Sequence, residues 1–139
     1  MLSQTLIAAL LLAICVVIHA VGTLAILAPL RTWFATHAGA NIARPLLFLI
    51  VIFLFVFALH AVEMFVWALA YWITGALPTL GDSIYFSVVS YTTVGYGDVV
   101  LDAEWRTLGA SEAAVGILLF GWSTALLFAV IQRMYTHQH

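Results

Sequence analysis

The chain has 139 residues, of which 65% are hydrophobic and 7% charged, and its formal net charge is −2. Soluble domains carry about 25% charged residues, so this composition excludes an ordinary soluble enzyme or binding module and points to a membrane protein. A near-zero charge gives no basis for nucleic-acid binding, and Cys15, the lone cysteine, excludes an intrachain disulfide.

The first apolar stretch runs from Leu6 to Leu30 without a charge. At 1.5 Å per residue it reaches about 37 Å, enough to cross a hydrocarbon core of about 30 Å. It lacks the basic n-region of a signal peptide and is too long for one, so a retained span is expected. The segment from Arg31 to Arg44, with Trp33 and Phe34 beside arginine, is expected as a loop at the inner interface. Residues 1–44 are thus read as a peripheral transmembrane helix and a cytoplasmic interfacial loop.

The second apolar stretch begins near Pro45, a residue tolerated in a first helical turn, and continues to Ile73. Phe65, Trp67, Tyr71 and Trp72 crowd its far end, as expected where a helix leaves lipid. Gly75 and Pro78 end it. Thr79-Leu80-Gly81-Asp82 has capping-box spacing, which predicts a short helix from about Leu80 to Tyr91 running into Thr92. That helix is too short to span. A re-entrant helix of this kind is tolerated only where protein surrounds it or water lines it. Its C-terminal end carries the negative end of the dipole and favours a cation. A third span is predicted from about Glu104 or Thr107 to Arg133, with Glu112 its only internal charge.

Arginine placement orients the chain. Arg31, Arg44 and Arg133 lie on one side, and Arg106 alone joins Asp82, Asp98, Asp102 and Glu104 on the other. The positive-inside rule then predicts a multi-pass protein of the cell membrane, with the amino terminus outside and the carboxyl terminus cytoplasmic. Voltage sensing by charge movement needs arginines spaced through a span, and the first span has none.

His19, His60 and Glu63 are the polar residues singled out inside the first two spans. His60 and Glu63 stand three apart and share a helical face. Ionisable residues in lipid suggest function, and histidine titrates near neutral pH. Two readings are open: a proton-sensitive latch between the peripheral helix and the rest, or plain interhelix hydrogen bonding. His137 and His139 are read as a solvated tail. No metal signature, nucleophile–base pair or phosphate loop is present, so neither catalysis nor a cofactor is expected.

Between the short helix and the third span stand Thr92-Thr93-Val94-Gly95-Tyr96-Gly97 and then Asp98. Gly95 and Gly97 permit backbone angles that a β-carbon forbids, so successive carbonyls can face one way. Tyr96 is expected to pack against the short helix at Tyr85 and Phe86.

With this motif, residues 45–134 resemble the pore domain of tetrameric potassium channels: outer helix, pore helix, selectivity filter and inner helix. The chain looks most like the small bacterial ion-channel proteins of this kind, with one extra amino-terminal helix. The resemblance implies an all-α membrane protein with three transmembrane helices plus a re-entrant pore helix and filter. It implies that the carbonyls of Thr93, Val94, Gly95 and Tyr96 coordinate potassium, with Gly97 completing the filter and Thr92, Asp98 and Tyr85 supporting it. Because the chain has one filter loop, four copies are expected to form a homotetramer. Its expected partners are therefore copies of itself, the bilayer and K+ ions.

The sequence departs from some relatives in one respect. A glutamate that bonds the aspartate after the filter is replaced by Val89, so Tyr85 is the expected partner of Asp98. Gly116 and Gly121 match the paired glycines of the inner helix, read either as a hinge or as packing positions. Ile117, Phe120, Thr124 and Phe128 share one face and are expected to line the cavity, with Phe128 nearest a gate. Asp98, Asp102 and Glu104 would concentrate cations at the mouth. Arg106 is expected to pair with Glu104 or Glu112. The expected function is passive, potassium-selective conduction. The alternatives are a non-selective cation channel and a non-conducting regulatory subunit.

Overall fold

A computed structural model describes residues 2–36 and 43–136, with side chains described over 3–27 and 46–134. Among the described residues the chain is all helical: α1 (Leu2–Thr36), α2 (Ala43–Ile73), α3 (Leu80–Tyr91) and α4 (Arg106–Thr136). Three segments are long and apolar enough to cross a membrane: Ser3–Leu27, Leu46–Ile73 and Arg106–Met134. The fold is that of an all-α, multi-pass membrane protein. Side chains such as Leu10, Val17, Leu54, Phe57 and Leu118 are exposed, as suits helices solvated by lipid.

Where the structure describes it, the predicted loop from Arg31 to Arg44 is helix. α1 continues through Arg31, Trp33 and Phe34 to Thr36, and α2 already starts at Ala43. A charge ends an apolar run, but it does not end a helix. Residues 37–42, the side chains of Trp33 and Phe34, and His137 and His139 lie outside the described residues.

α2 ends as its sequence requires. Gly75 takes φ +74°, Gly75 N–H donates to Trp72 O at 3.2 Å, and Ala76 N–H donates to Tyr71 O at 2.9 Å. This is a Schellman ending, which satisfies two orphan carbonyls and needs a left-handed residue where glycine stands. The turn leads to Thr79, whose Oγ1 accepts from Asp82 N–H at 3.0 Å and so caps α3.

α1 packs on α2 and α4 of its own chain, and α3 is wedged between α2 and α4. Two apolar clusters hold the helices together. Ala8, Leu11 and Cys15 of α1 meet Trp67, Tyr71, Leu108 and Val115 toward the α3 side. Ile26 meets Ile52, Val56 and Val130 at the other end. The start of α1 therefore lies beside the end of α2 and the start of α4, so α1 runs antiparallel to α2 and parallel to α4. Buried His19, His60, Glu63 and Ser123 fall between the two clusters in sequence on each helix, forming a polar belt.

Candidate functional site

α3 delivers the chain to Thr92, which caps the helix with φ −78° and ψ −3°. Beyond it the backbone alternates in handedness: Thr93, Gly95 and Gly97 have φ +62°, +57° and +78°, while Val94 and Tyr96 keep negative φ. An extended strand turns its carbonyls alternately to opposite sides. Alternating handedness instead gathers like groups on one side. The amides are drawn back onto the helix: Val94 N–H and Gly95 N–H both donate to Val89 O, at 3.0 and 3.2 Å, and Thr93 N–H donates to Ser90 O at 2.9 Å. Among the described residues, no hydrogen bond is accepted by the carbonyls of Thr93, Val94, Gly95 or Tyr96. The segment is exposed from Thr93 to Asp98. The result is a run of carbonyls with no partner among the described residues, suited to a desolvated cation.

Thr93 carries a side chain in the left-handed region, uncommon for a β-branched residue and worth about 1–2 kcal/mol of strain. The bonds to Val89 and Ser90 hold the backbone there.

At the Gly97 end of the segment, Tyr85 Oη donates to Asp98 Oδ2 at 2.6 Å. This bond holds the Asp98 carboxyl below the usual range and pushes the Tyr85 phenol up. Asp98 Oδ1 also accepts from Val99 N–H at 3.1 Å. Val89 is buried, and its side chain offers no such donor. Tyr96 is 73% exposed within the single chain, so its ring does not pack on Phe86 as expected; Phe86 meets Tyr71 edge-on at 5.2 Å.

A carboxylate behind α3, which the sequence marks as the internal charge of the third span and a candidate partner of Arg106, has other partners in the structure. Glu112 of α4 is fully buried, accepting from Tyr71 Oη at 2.7 Å and Ser87 Oγ at 2.5 Å. Ser87 Oγ also lies 2.7 Å from Met64 O. This knot ties α2, α3 and α4 together. Arg106 does not take part, because its Nε–H donates to Leu101 O at 3.4 Å. The two lie six residues apart, roughly 240° around the helix, so they occupy different faces.

The belt brings together the three polar residues read from the sequence and adds two. Four contacts close a ring: His19 Nδ1 to Glu63 Oε1 at 2.8 Å, Glu63 Oε2 to His60 Nδ1 at 3.0 Å, His60 Nε2 to Ser123 Oγ at 2.9 Å, and Ser123 Oγ to His19 Nε2 at 3.1 Å. Tyr91, the last residue of α3, donates to Glu63 Oε2 at 2.6 Å and lies 3.0 Å from His60 Nδ1. Ser123 and Tyr91 carry no sequence signal, since only the packing of all four helices brings them in.

On α4, Gly116 is buried, and a β-carbon there would collide with the Tyr91 carbonyl oxygen. Gly121 faces open space. Ile117, Thr124 and Phe128 are exposed along one side. Phe120 turns in part toward the belt, its ring 4.4 Å from His60 and 5.4 Å from Tyr91. Asp102 and Glu104, a few residues after the segment in the chain, are exposed.

Comparison with known proteins places residues 46–133 within the family model described as an ion channel. No curated protein and no solved structure matches the chain.

Proposed function

The chain belongs to the ion-channel family, and from this membership we propose that four copies form a ring that conducts potassium passively and selectively. The carbonyl row over Thr93, Val94, Gly95 and Tyr96 carries the reading. One chain supplies one wall of a coordination cage, and an ion stripped of water needs walls on all sides. Fourfold repetition about an axis completes the cage. It also gives Tyr96, Val94, Ile117 and Phe128, exposed in the single chain, neighbours to pack against or a cavity to line.

In this arrangement α3 directs the negative end of its dipole toward the central cavity. Tyr85 and Asp98 brace the outer end of the filter, Thr92 anchors the inner end, and Gly97 closes the alternating run. Asp98, Asp102 and Glu104, repeated fourfold, draw cations to the mouth. Ile117, Gly121, Thr124 and Phe128 belong to the cavity side of the inner helix, α4, while Gly116 packs on α3 and Phe120 lies between the cavity side and the belt. Residues 45–134 form the pore unit and residues 1–44 its peripheral helix. The filter faces outward across the cell membrane, with the amino terminus outside and the carboxyl terminus cytoplasmic.

The deciding experiment is the reversal potential of purified protein in planar bilayers, with potassium on one side and sodium on the other. A value near the potassium equilibrium potential is expected. Robust current reversing near zero would leave a non-selective cation pore. A protein that runs as a tetramer yet passes no current under either polarity would point to a subunit awaiting a partner.

A further inference from the structure

The ring of His19, Glu63, His60 and Ser123 can be counted for protons without knowing where any hydrogen sits. Each of its four contacts needs one hydrogen between two heavy atoms. A carboxylate supplies none, a neutral imidazole one, and a serine hydroxyl one. An ionised Glu63 with two neutral histidines and Ser123 therefore supplies three, one short of the four contacts. The Tyr91 hydroxyl does not fill the gap, because its hydrogen is directed to Glu63 Oε2.

Charge leads to the same deficit. Glu63 is fully buried within the bilayer region, and its ion-pair contacts are to the two histidines. With both neutral, a bare negative charge would sit among apolar helices, an expensive arrangement. One added proton satisfies the fourth contact and neutralises the ring together.

We propose that this ring is a binding site for a single proton, built across α1, α2 and α4 and shared among Glu63, His19 and His60. Every ring nitrogen and carboxylate oxygen already has a hydrogen-bonding partner, so the site is complete without any other ligand. Release of the proton leaves one edge with lone pair facing lone pair, and the ring opens there. Tyr91 rests on Glu63 and ends the helix that carries the carbonyl segment, so opening reaches the foot of that segment. The proton is thereby linked to how firmly the peripheral helix and the pore hold together.

Other titratable groups face this layer. Cys15 on α1 and Tyr91 on α3 lie within electrostatic reach of Glu63, and Glu112 on α4 lies within reach of Cys15 and Tyr91. Glu112 is held by Tyr71 and Ser87, outside the ring. A test must cancel these groups, and Glu63→Gln does so. A glutamine amide supplies N–H toward His60 covalently while its carbonyl still accepts from His19, so the ring closes with no added proton.

The experiment is equilibrium unfolding of the full chain in mixed detergent micelles, wild type against Glu63→Gln, from about pH 6 to about pH 9. Above the ordinary histidine range the unfolded chain has an ionised Glu63 and neutral histidines, one proton fewer than the filled ring. The wild-type folded-to-unfolded ratio should therefore fall about tenfold per pH unit more steeply than that of the variant while the ring stays filled. Equal slopes would overturn the proposal. Should the variant not fold, nitrogen-15 histidine and carbon-13 carboxyl spectra of the wild type at neutral pH carry the test. One bare ring nitrogen with an ionised Glu63, or two with a protonated Glu63, is expected; two with an ionised Glu63 would overturn it. Neither readout depends on conduction, so a pore that fails to select potassium leaves the inference standing.

Discussion

Gly116 and Tyr91 meet backbone to side-chain position, with no room for a β-carbon between α4 and the Tyr91 carbonyl oxygen. The contact lies directly beneath the residue that opens the carbonyl segment. Gly116→Ala is expected to lower stability by about 1–3 kcal/mol through overpacking, offset in part by the better helix propensity of alanine. The thermal unfolding midpoint in detergent checks this. A variant that folds at wild-type stability but opens differently would favour a hinge at this glycine over a packing role.

Gly95 separates conduction from folding. At φ +57° an added side chain costs about 1–2 kcal/mol, not enough to unfold the chain but enough to turn a carbonyl away. Gly95→Ala is expected to yield folded protein and to abolish selective potassium flux into liposomes. Flux that kept its selectivity would detach this segment from conduction.

The bond between Tyr85 and Asp98 predicts a pH effect with a defined sign. The Tyr85 hydroxyl depresses the Asp98 carboxyl, so the contact is fully present above the ordinary carboxylate value of about 3.9 and is lost as pH falls through the lower folded value. Tyr85→Phe should move the carbon-13 titration of Asp98 upward toward the ordinary range. It should also weaken sustained current. An unmoved titration would mean that the backbone N–H of Val99 supplies the effect alone.

Much of this arrangement was legible in the residues. The short helix runs from Leu80 to Tyr91 as its cap and length predict, because Thr79 and Asp82 define its start locally. The Tyr85 bond could be anticipated through the resemblance, which implies a partner for Asp98 on the short helix; Val89 cannot serve and a phenol one turn away can. Local spacing likewise put His60 and Glu63 on one face. What the chain order could not reveal was tertiary. The partners of Glu112 come from two other helices, α2 and α3, and Ser123 lies 104 positions from His19. The reading of a loop failed over residues 31–36 and 43–44, because hydropathy measures affinity for lipid, whereas helix continuation depends on backbone hydrogen bonds that arginine does not interrupt.

The knot behind α3 predicts a stability effect of its own. Tyr71→Phe removes a donor from the buried Glu112 and leaves it Ser87 alone. The expected cost is about 1–3 kcal/mol, seen as a lower unfolding midpoint in detergent. An unchanged midpoint would show that Ser87 suffices.

The polar belt also bears on how the helices find their places during insertion. In lipid, one oily helix face adheres to another with little preference for depth, since tails solvate both. A slide of α1 by one turn, about 5.4 Å, would carry His19 away from Glu63 and Ser123 and leave each of them one imidazole short. That misalignment carries a penalty which oily faces alone would not impose. The belt is thus an index mark that fixes the depth and rotation of α1 against α2 and α4.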